Sequence, residues 1–198
     1  MKIFNNVDEL KIEIVNFVNS NNIKIISFDG KNGSGKSTLA KSLCEDEGYI
    51  HLNLDDEEYL DNEKGTFIDY IKYDILDKKI KENMNNMKVT IIDGICILKI
   101  LENLKIKSEL KIYVKKLSWY GYWYDENYFD YEKKAEDIIQ ESENSIKQSM
   151  NYKAEKQNDP SLKYVFKKSI FHEIIEYHHE YKPDENADIL YERFQEKK

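Results

Sequence analysis

Gly30, Gly33, Gly35, Lys36 and Ser37 fall in the order G-x-x-x-x-G-K-S, with Lys31, Asn32 and Ser34 in the spaces and Thr38 directly after. These residue types at this spacing suit the holding of a polyphosphate. Glycines let the main chain wrap with its N–H groups inward, and a helix that opens where the loop ends adds its partial positive charge. In such a loop the lysine, Lys36, reaches the β- and γ-phosphates, and the hydroxyl of Ser37 ligates Mg²⁺. The motif needs a strand before it and a helix after it. Ile23 to Phe28 (I-K-I-I-S-F) supplies an apolar strand, and Leu39, Ala40 and Leu43 continue a helix that opens near Gly35.

Carboxylates at strand ends are the next candidates, because ligands of open α/β sheets sit outside the carboxyl ends of the strands. Asp93 directly follows the apolar run Val89 to Ile92, where it could hold Mg²⁺ or its water shell. It also belongs to an Asp-Gly pair, which by itself favours a tight turn. Asp55, first in the acidic run Asp55 to Glu58, ends a short strand over Tyr49 to Leu54. It could orient an acceptor hydroxyl and take its proton, with Asp56 the second choice. The same run also reads as a solvated helix start.

These groups need a scaffold. Leu10, Ile14, Phe17 and Val18 predict an amphipathic helix from Asp8 to about Asn19, stopped by the asparagines after it. A long helix is predicted from Phe67 to about Met84, then a strand at Val89 to Ile92 and another at Leu110 to Val114. Strands alternating with helices predict βαβ units and a parallel sheet. Trp119, Tyr120, Tyr122, Trp123, Tyr124, Tyr128, Phe129 and Tyr131 then crowd into a stretch without clean periodicity, read as an ordered aromatic loop. Its rings could stack on a flat substrate, pack as a loop, or form a subunit interface in a homodimer. Helices are predicted at about Glu132 to Glu155 and Tyr164 to Tyr181, divided by Asn158 to Ser161, with Ala187 to Phe194 as the last strand.

The 198 residues fit one domain, and the net charge of −8 without a dense basic stripe argues against duplex nucleic acid as partner. Arg193 is the only arginine among 30 basic residues. Cys44 and Cys96 read as reduced core residues, which with the absence of an apolar leader or a membrane-length apolar run suggests a cytoplasmic protein.

Ser27-Phe28-Asp29-Gly30 through Ser34-Gly35-Lys36-Ser37-Thr38 resembles the opening of the uridine kinase group of P-loop kinases. Asn53-Leu54-Asp55-Asp56 with Tyr59, Ile91-Ile92-Asp93-Gly94-Ile95, and Pro183 with Ala187-Asp188-Ile189 are similar to three further elements of that group, in the same order. The resemblance implies a P-loop NTPase fold: an α/β domain with a five-stranded parallel sheet of order 2-3-1-4-5, flanked by helices. It further implies a lid-like insertion after the fourth strand, here about residues 115–160. ATP and Mg²⁺ would serve as donor, a small alcohol as acceptor, and Asp55 as catalytic base. The chain departs from the group in two places. The lid segment has no arginine, offering Lys115, Lys116, Lys133, Lys134 and Lys147, and Glu57 and Glu58 occupy the aromatic positions after Asp55.

The function that follows is transfer of the ATP γ-phosphoryl to a nucleoside-like or other small acceptor. Two other classes remain open: an NTP-dependent ATPase or switch driving a protein partner, and a nucleotide-binding regulator without catalysis. A Ras-type switch would carry N/T-K-x-D on a strand end, whereas Lys72-Tyr73-Asp74 lies inside a predicted helix. His172-Glu173-Ile174-Ile175-Glu176 lacks the second histidine of a zinc motif. His178 and His179 read as surface or helix-end residues, and Arg193 as a phosphate or adenine contact or an ion pair.

Overall fold

The structure, a computed structural model, describes residues 1–61, 66–157 and 169–195. In chain order the elements are β1 (Lys2–Phe4), α1 (Val7–Asn21), β2 (Ile25–Asp29), α2 (Lys36–Glu47), β3 (Ile50–Asn53), α3 (Phe67–Tyr70), α4 (Tyr73–Asn85), β4 (Thr90–Asp93), α5 (Ile97–Asn103), β5 (Leu110–Leu117), α6 (Ala135–Gln157), α7 (Ile170–Tyr181) and β6 (Ile189–Phe194). A parallel sheet must be covered on both faces, so its central strands read as continuous apolar runs. All five residues of β2 and all four of β4 are buried accordingly.

Alternation along each strand divides the core in two. Ile26 and Phe28 of β2, Ile91 of β4 and Ile112 of β5 pack with α1 and α2 on one face. Ile25 and Ile92 face the other way, against α4, α5 and α7. The strands pair in parallel throughout, in the order β1-β6-β5-β2-β4-β3. The sheet therefore has six strands rather than the expected five, and its order differs from 2-3-1-4-5 by one strand added at an edge, the other five keeping that relative order. The added strand is β1, paired with β6 at one edge. Three residues, two of them exposed, carry too little pattern to be read as a strand.

The single helix expected over Phe67 to Met84 is two helices, broken where Ile71 turns to extended backbone at φ −65°, ψ 125°. No glycine or proline marks the break. It is made by long-range pairing: Leu60 bridges Ile71, and the Lys72 N–H donates to the Tyr59 carbonyl at 2.8 Å. Helix α5 was not expected at all, being only seven residues long. The strand expected at Leu110 to Val114 runs on to Leu117, and the aromatic stretch turns back at Ser118–Tyr122 so that Trp123 bridges Leu117. The start of the last helix near Tyr164, and the divider at Asn158 to Ser161, lie outside the described residues.

Glu173 ties α7 to α3. Its carboxylate accepts the Phe67 N–H at 2.8 Å and the Ile68 N–H at 3.0 Å while only 5% exposed. Glu173→Ala would leave two covered backbone donors without an acceptor, and we expect it to lower stability by about 2 kcal/mol or more. A shift of the urea midpoint at constant slope measures this; an unmoved midpoint would mean that water replaces the carboxylate.

Candidate functional site

The loop between β2 and α2 has three glycines with positive φ, Gly30 at 145°, Gly33 at 77° and Gly35 at 99°. The left-handed turn at Gly35 starts α2 without any capping side chain, and its first turn holds no acidic residue. Helix α1, by contrast, is capped by Asn6, which accepts the N–H groups of Asp8 and Glu9. The α2 N-terminus thus keeps its orphan N–H groups and its partial positive charge for something other than a side chain. Lys36 adds a full positive charge at its first position, against the helix dipole. That side chain is only 3% exposed, and its ammonium makes no hydrogen bond or ion pair with the described residues. Ser34 Oγ, inside the same loop, is buried without a partner.

Strand alternation places the carboxylates. On β4, Ile91 faces α2, so Asp93 two residues on does the same. Its side chain is fully buried, and Ser37 Oγ donates to its Oδ2 at 2.5 Å. On β3, His51 is registered with Ile91 and Asn53 with Asp93, which sets His51 diagonal to the aspartate on that face. His51 Nε2 contacts the other oxygen, Oδ1. The motif serine and the strand-end aspartate, 56 residues apart, are thereby brought together. His51 was missed because one histidine in the short strand I-H-L-N carries no motif.

Asn32, Gly33, Gly35, Lys36, Ser37, Thr38 and Asp55 line one cavity of about 410 Å³. Asp55 of that lining keeps part of its surface in solvent. Burial raises its carboxyl above the ordinary aspartate value, and the charges of Asp93 and Asp56 add to this against the pull of Lys36. The carboxylate proposed to face a phosphoryl group and the lysine proposed to bind it therefore share one space. Gly30, Lys31, Ser34 and Asp93 do not line that cavity. Lys31 is ion-paired with Asp125 of the aromatic stretch, and its ammonium lies 4.9 Å from the centre of the Tyr128 ring.

Mg²⁺ fits the oxygens present. The Ser37 hydroxyl and the Asp93 carboxylate are adjacent hard donors, and this ion is typically held by one or two protein groups with waters and phosphate oxygens. Among the described residues no cluster of three His, Cys, Asp or Glu side chains is placed to hold a metal by itself.

Asp29 enters the sequence only as part of the Ser27-to-Thr38 resemblance, with no role of its own, although it is an acidic residue closing an apolar strand. It shares the β2 face of Ile25, the face covered by α7, and is 4% exposed. Its Oδ1 accepts the Gly30 N–H at 2.7 Å and its Oδ2 accepts the Tyr177 hydroxyl. Burial pushes its carboxyl up to about 6, against the lowering effects of Tyr177, Gly30 and Lys36.

The remaining candidates have structural partners. His178, read as a surface or helix-end residue, does lie in the last turn of α7 but is 2% exposed: Nδ1 bonds the Ile174 carbonyl at 2.7 Å, Nε2 meets the Tyr113 hydroxyl at 2.9 Å, and Phe129 stacks on the ring. Burial lowers it to about 3, so it is neutral. His172 accepts the Ser169 N–H at the start of α7 and lies 3.2 Å from Glu143. Arg193 donates to the Ser34 carbonyl at 3.1 Å, bracing the loop from the β6 side. Cys44 and Cys96 are buried and unbridged. No helix of the described residues is long and apolar enough to cross a membrane. No family model, curated protein or solved structure matches this chain.

Proposed function

We propose that the chain is an ATP-dependent phosphotransferase of P-loop kinase type, moving the γ-phosphoryl group to a hydroxyl of a small acceptor. The observation that carries this reading is the 410 Å³ cavity lined together by the uncapped α2 N-terminus, Lys36 and Asp55. Among the described residues the helix start has no capping side chain, Lys36 has no hydrogen bond or ion pair and the buried Ser34 hydroxyl has no partner, so each lacks an anionic or accepting group. A triphosphate supplies one. Mg²⁺, when bound, would neutralise charge developing on the phosphoryl oxygens, with Ser37 and Asp93 as its protein donors.

Within this scheme Lys36 draws the β- and γ-phosphates into the loop, and His51 holds the Asp93 carboxylate in place. Asp55 accepts the proton of the attacking hydroxyl, for which a carboxyl above the usual range is the better base. Among the described residues no arginine lines the cavity, the Arg193 guanidinium lying behind Gly35 and bonded to the Ser34 carbonyl, so charge neutralisation falls chiefly to Lys36, the helix start and the metal.

The test is ATP consumption with and without a panel of nucleosides, sugars and vitamin alcohols. Acceptor-stimulated turnover with a phosphorylated product is the expected result. Free phosphate without any acceptor would replace the kinase by an ATPase, and binding without turnover would replace it by a nucleotide-dependent regulator.

A further inference from the structure

A second cavity, of about 560 Å³, opens between α6, the start of α7 and the aromatic stretch, and no step of the transfer above uses it. Its size falls in the range of small-molecule sites. Helix α7 runs antiparallel to the strands, because β6 follows it and pairs in parallel with β5. The Tyr177 hydroxyl reaches Asp29, the last residue of β2, and Phe171 stands six residues earlier in the same helix. At the helical rise per residue, Phe171 lies roughly 9 Å beyond the strand end, on the side of the sheet where α/β proteins hold their ligands.

Phe171 and Tyr128 meet edge to face, their ring centres 4.9 Å apart, and both line the cavity. Such a pair offers a ring face and a ring edge to a third flat group. From α6 come Ile138, Ser142, Ser145 and Ile146, spaced to fall on one helix face. The isoleucines extend the apolar wall, and the two hydroxyls between them supply neutral donors and acceptors. Among the described residues no lysine or arginine belongs to the lining, and its one carboxylate, Glu141, is met by Lys133 at 3.3 Å. A phosphate group would meet like charge there, so the walls favour an uncharged molecule.

The same two rings tie the cavity to the phosphate loop. The Lys31 ammonium lies 4.9 Å from the centre of the Tyr128 ring and 5.9 Å from that of Phe171, with Asp125 as its ion-pair partner. A molecule packed on Tyr128 and Phe171 therefore fixes the rings that hold the Lys31 side chain. The geometry points to a second ligand site in this cavity, for a flat, uncharged molecule that carries hydroxyl groups, coupled to the phosphate loop through Lys31. The coupling rests on the phosphate-binding reading of the loop; the site itself does not. Lys31 sits between Gly30 and Asn32, so holding its side chain holds main chain that wraps the phosphates. Ligand and nucleotide then favour one arrangement, and each tightens the other by the same factor. Two sources share this chemistry, the acceptor alcohol and a separate effector, and they differ in whether the bound molecule is consumed.

Thymidine, riboflavin and pyridoxine are flat ring alcohols without net charge at neutral pH, and each has a phosphate ester as its charged counterpart. Calorimetric titration of the full chain without nucleotide is expected to show binding of at least one of the three, and binding of its ester weaker by about tenfold or more. Ser145 is exposed, so Ser145→Trp can fill the cavity without disturbing the core, and it should abolish probe binding while leaving nucleotide binding in place. Affinity for a non-hydrolysable ATP analogue with Mg²⁺ should rise about fivefold or more when the probe is saturating. Lys31→Met should bring that ratio to about one, whatever it does to nucleotide affinity itself. With ATP in place of the analogue, a phosphorylated probe identifies the occupant as the acceptor and an unaltered one identifies it as an effector, and either agrees with the site.

No binding by any of the three alcohols, or binding that survives Ser145→Trp, would overturn the site. Equal analogue affinity with and without the probe would remove the coupling through Lys31. A probe that weakens analogue binding belongs in the phosphate cavity and would defeat both claims. Failure of the wild-type protein to bind the analogue would end the phosphate reading and the coupling with it, while probe binding without nucleotide still decides the site.

Discussion

Lys36→Ala is expected to lower ATP-dependent turnover by about 10³-fold or more, the scale on which a charged or hydrogen-bonding clamp on a transferring group contributes. The fold should survive. Lys36 is buried beside the loop yet makes no hydrogen bond or ion pair with the described residues, so its removal breaks no salt bridge and takes from Asp29 and Asp55 only its longer-range electrostatic pull. The change also takes a positive charge from the positive end of the α2 dipole. Turnover and ATP binding should therefore collapse while the thermal midpoint holds or rises. Unchanged phosphotransfer by a folded Lys36→Ala protein would end the kinase assignment, whatever acceptor were used.

Gly30→Ala is expected to be the most destabilising substitution in the loop. A Cβ at this position would lie 2.5 Å from the Val114 carbonyl oxygen and 2.9 Å from Ser34 Oγ, on a backbone at φ 145°. The first neighbour is main chain of a central strand and cannot swing aside. Backbone strain of about 1–3 kcal/mol adds to the overlap, so a loss of about 3 kcal/mol or more is expected in denaturant melts. Gly33→Ala is the control. Nothing lies within 4 Å of its Cβ position, and only the φ of 77° opposes the change, for about 1 kcal/mol. Similar losses at the two positions would show that the Val114 contact does not matter.

What could be read from the chain was what its sequence encodes locally. The glycine spacing, the apolar strand before it and the helix after it lie within one short segment, and the structure keeps them together. Asp93 and Asp55 are candidates because strand ends concentrate function, and only the fold could bring Ser37 against one and Lys36 into a shared cavity with the other. The misses are long-range. Ile71 breaks a helix because Leu60 and Tyr59 pair beside it, and no propensity in Phe67 to Met84 signals that. His178 is in the core because Phe129 and Tyr113 cover it, whereas a pair of adjacent histidines near a helix end gives no hint of either ring. Asp29 escaped notice because its partner, Tyr177, lies 148 residues away.

The edge pairing of β1 with β6 has a consequence for how the chain is made. Residues 2–4 leave a ribosome long before their partners, residues 189–191. The strand cannot dock until almost everything between has been synthesised, and closing so long a loop adds an entropic delay. During that interval Lys2–Phe4 is unpaired, and the β6 side of β5 is an open edge. A nascent chain of this protein thus carries a template for misassociation until β6 arrives, and the charge on Lys2 and the shortness of β1 limit that hazard.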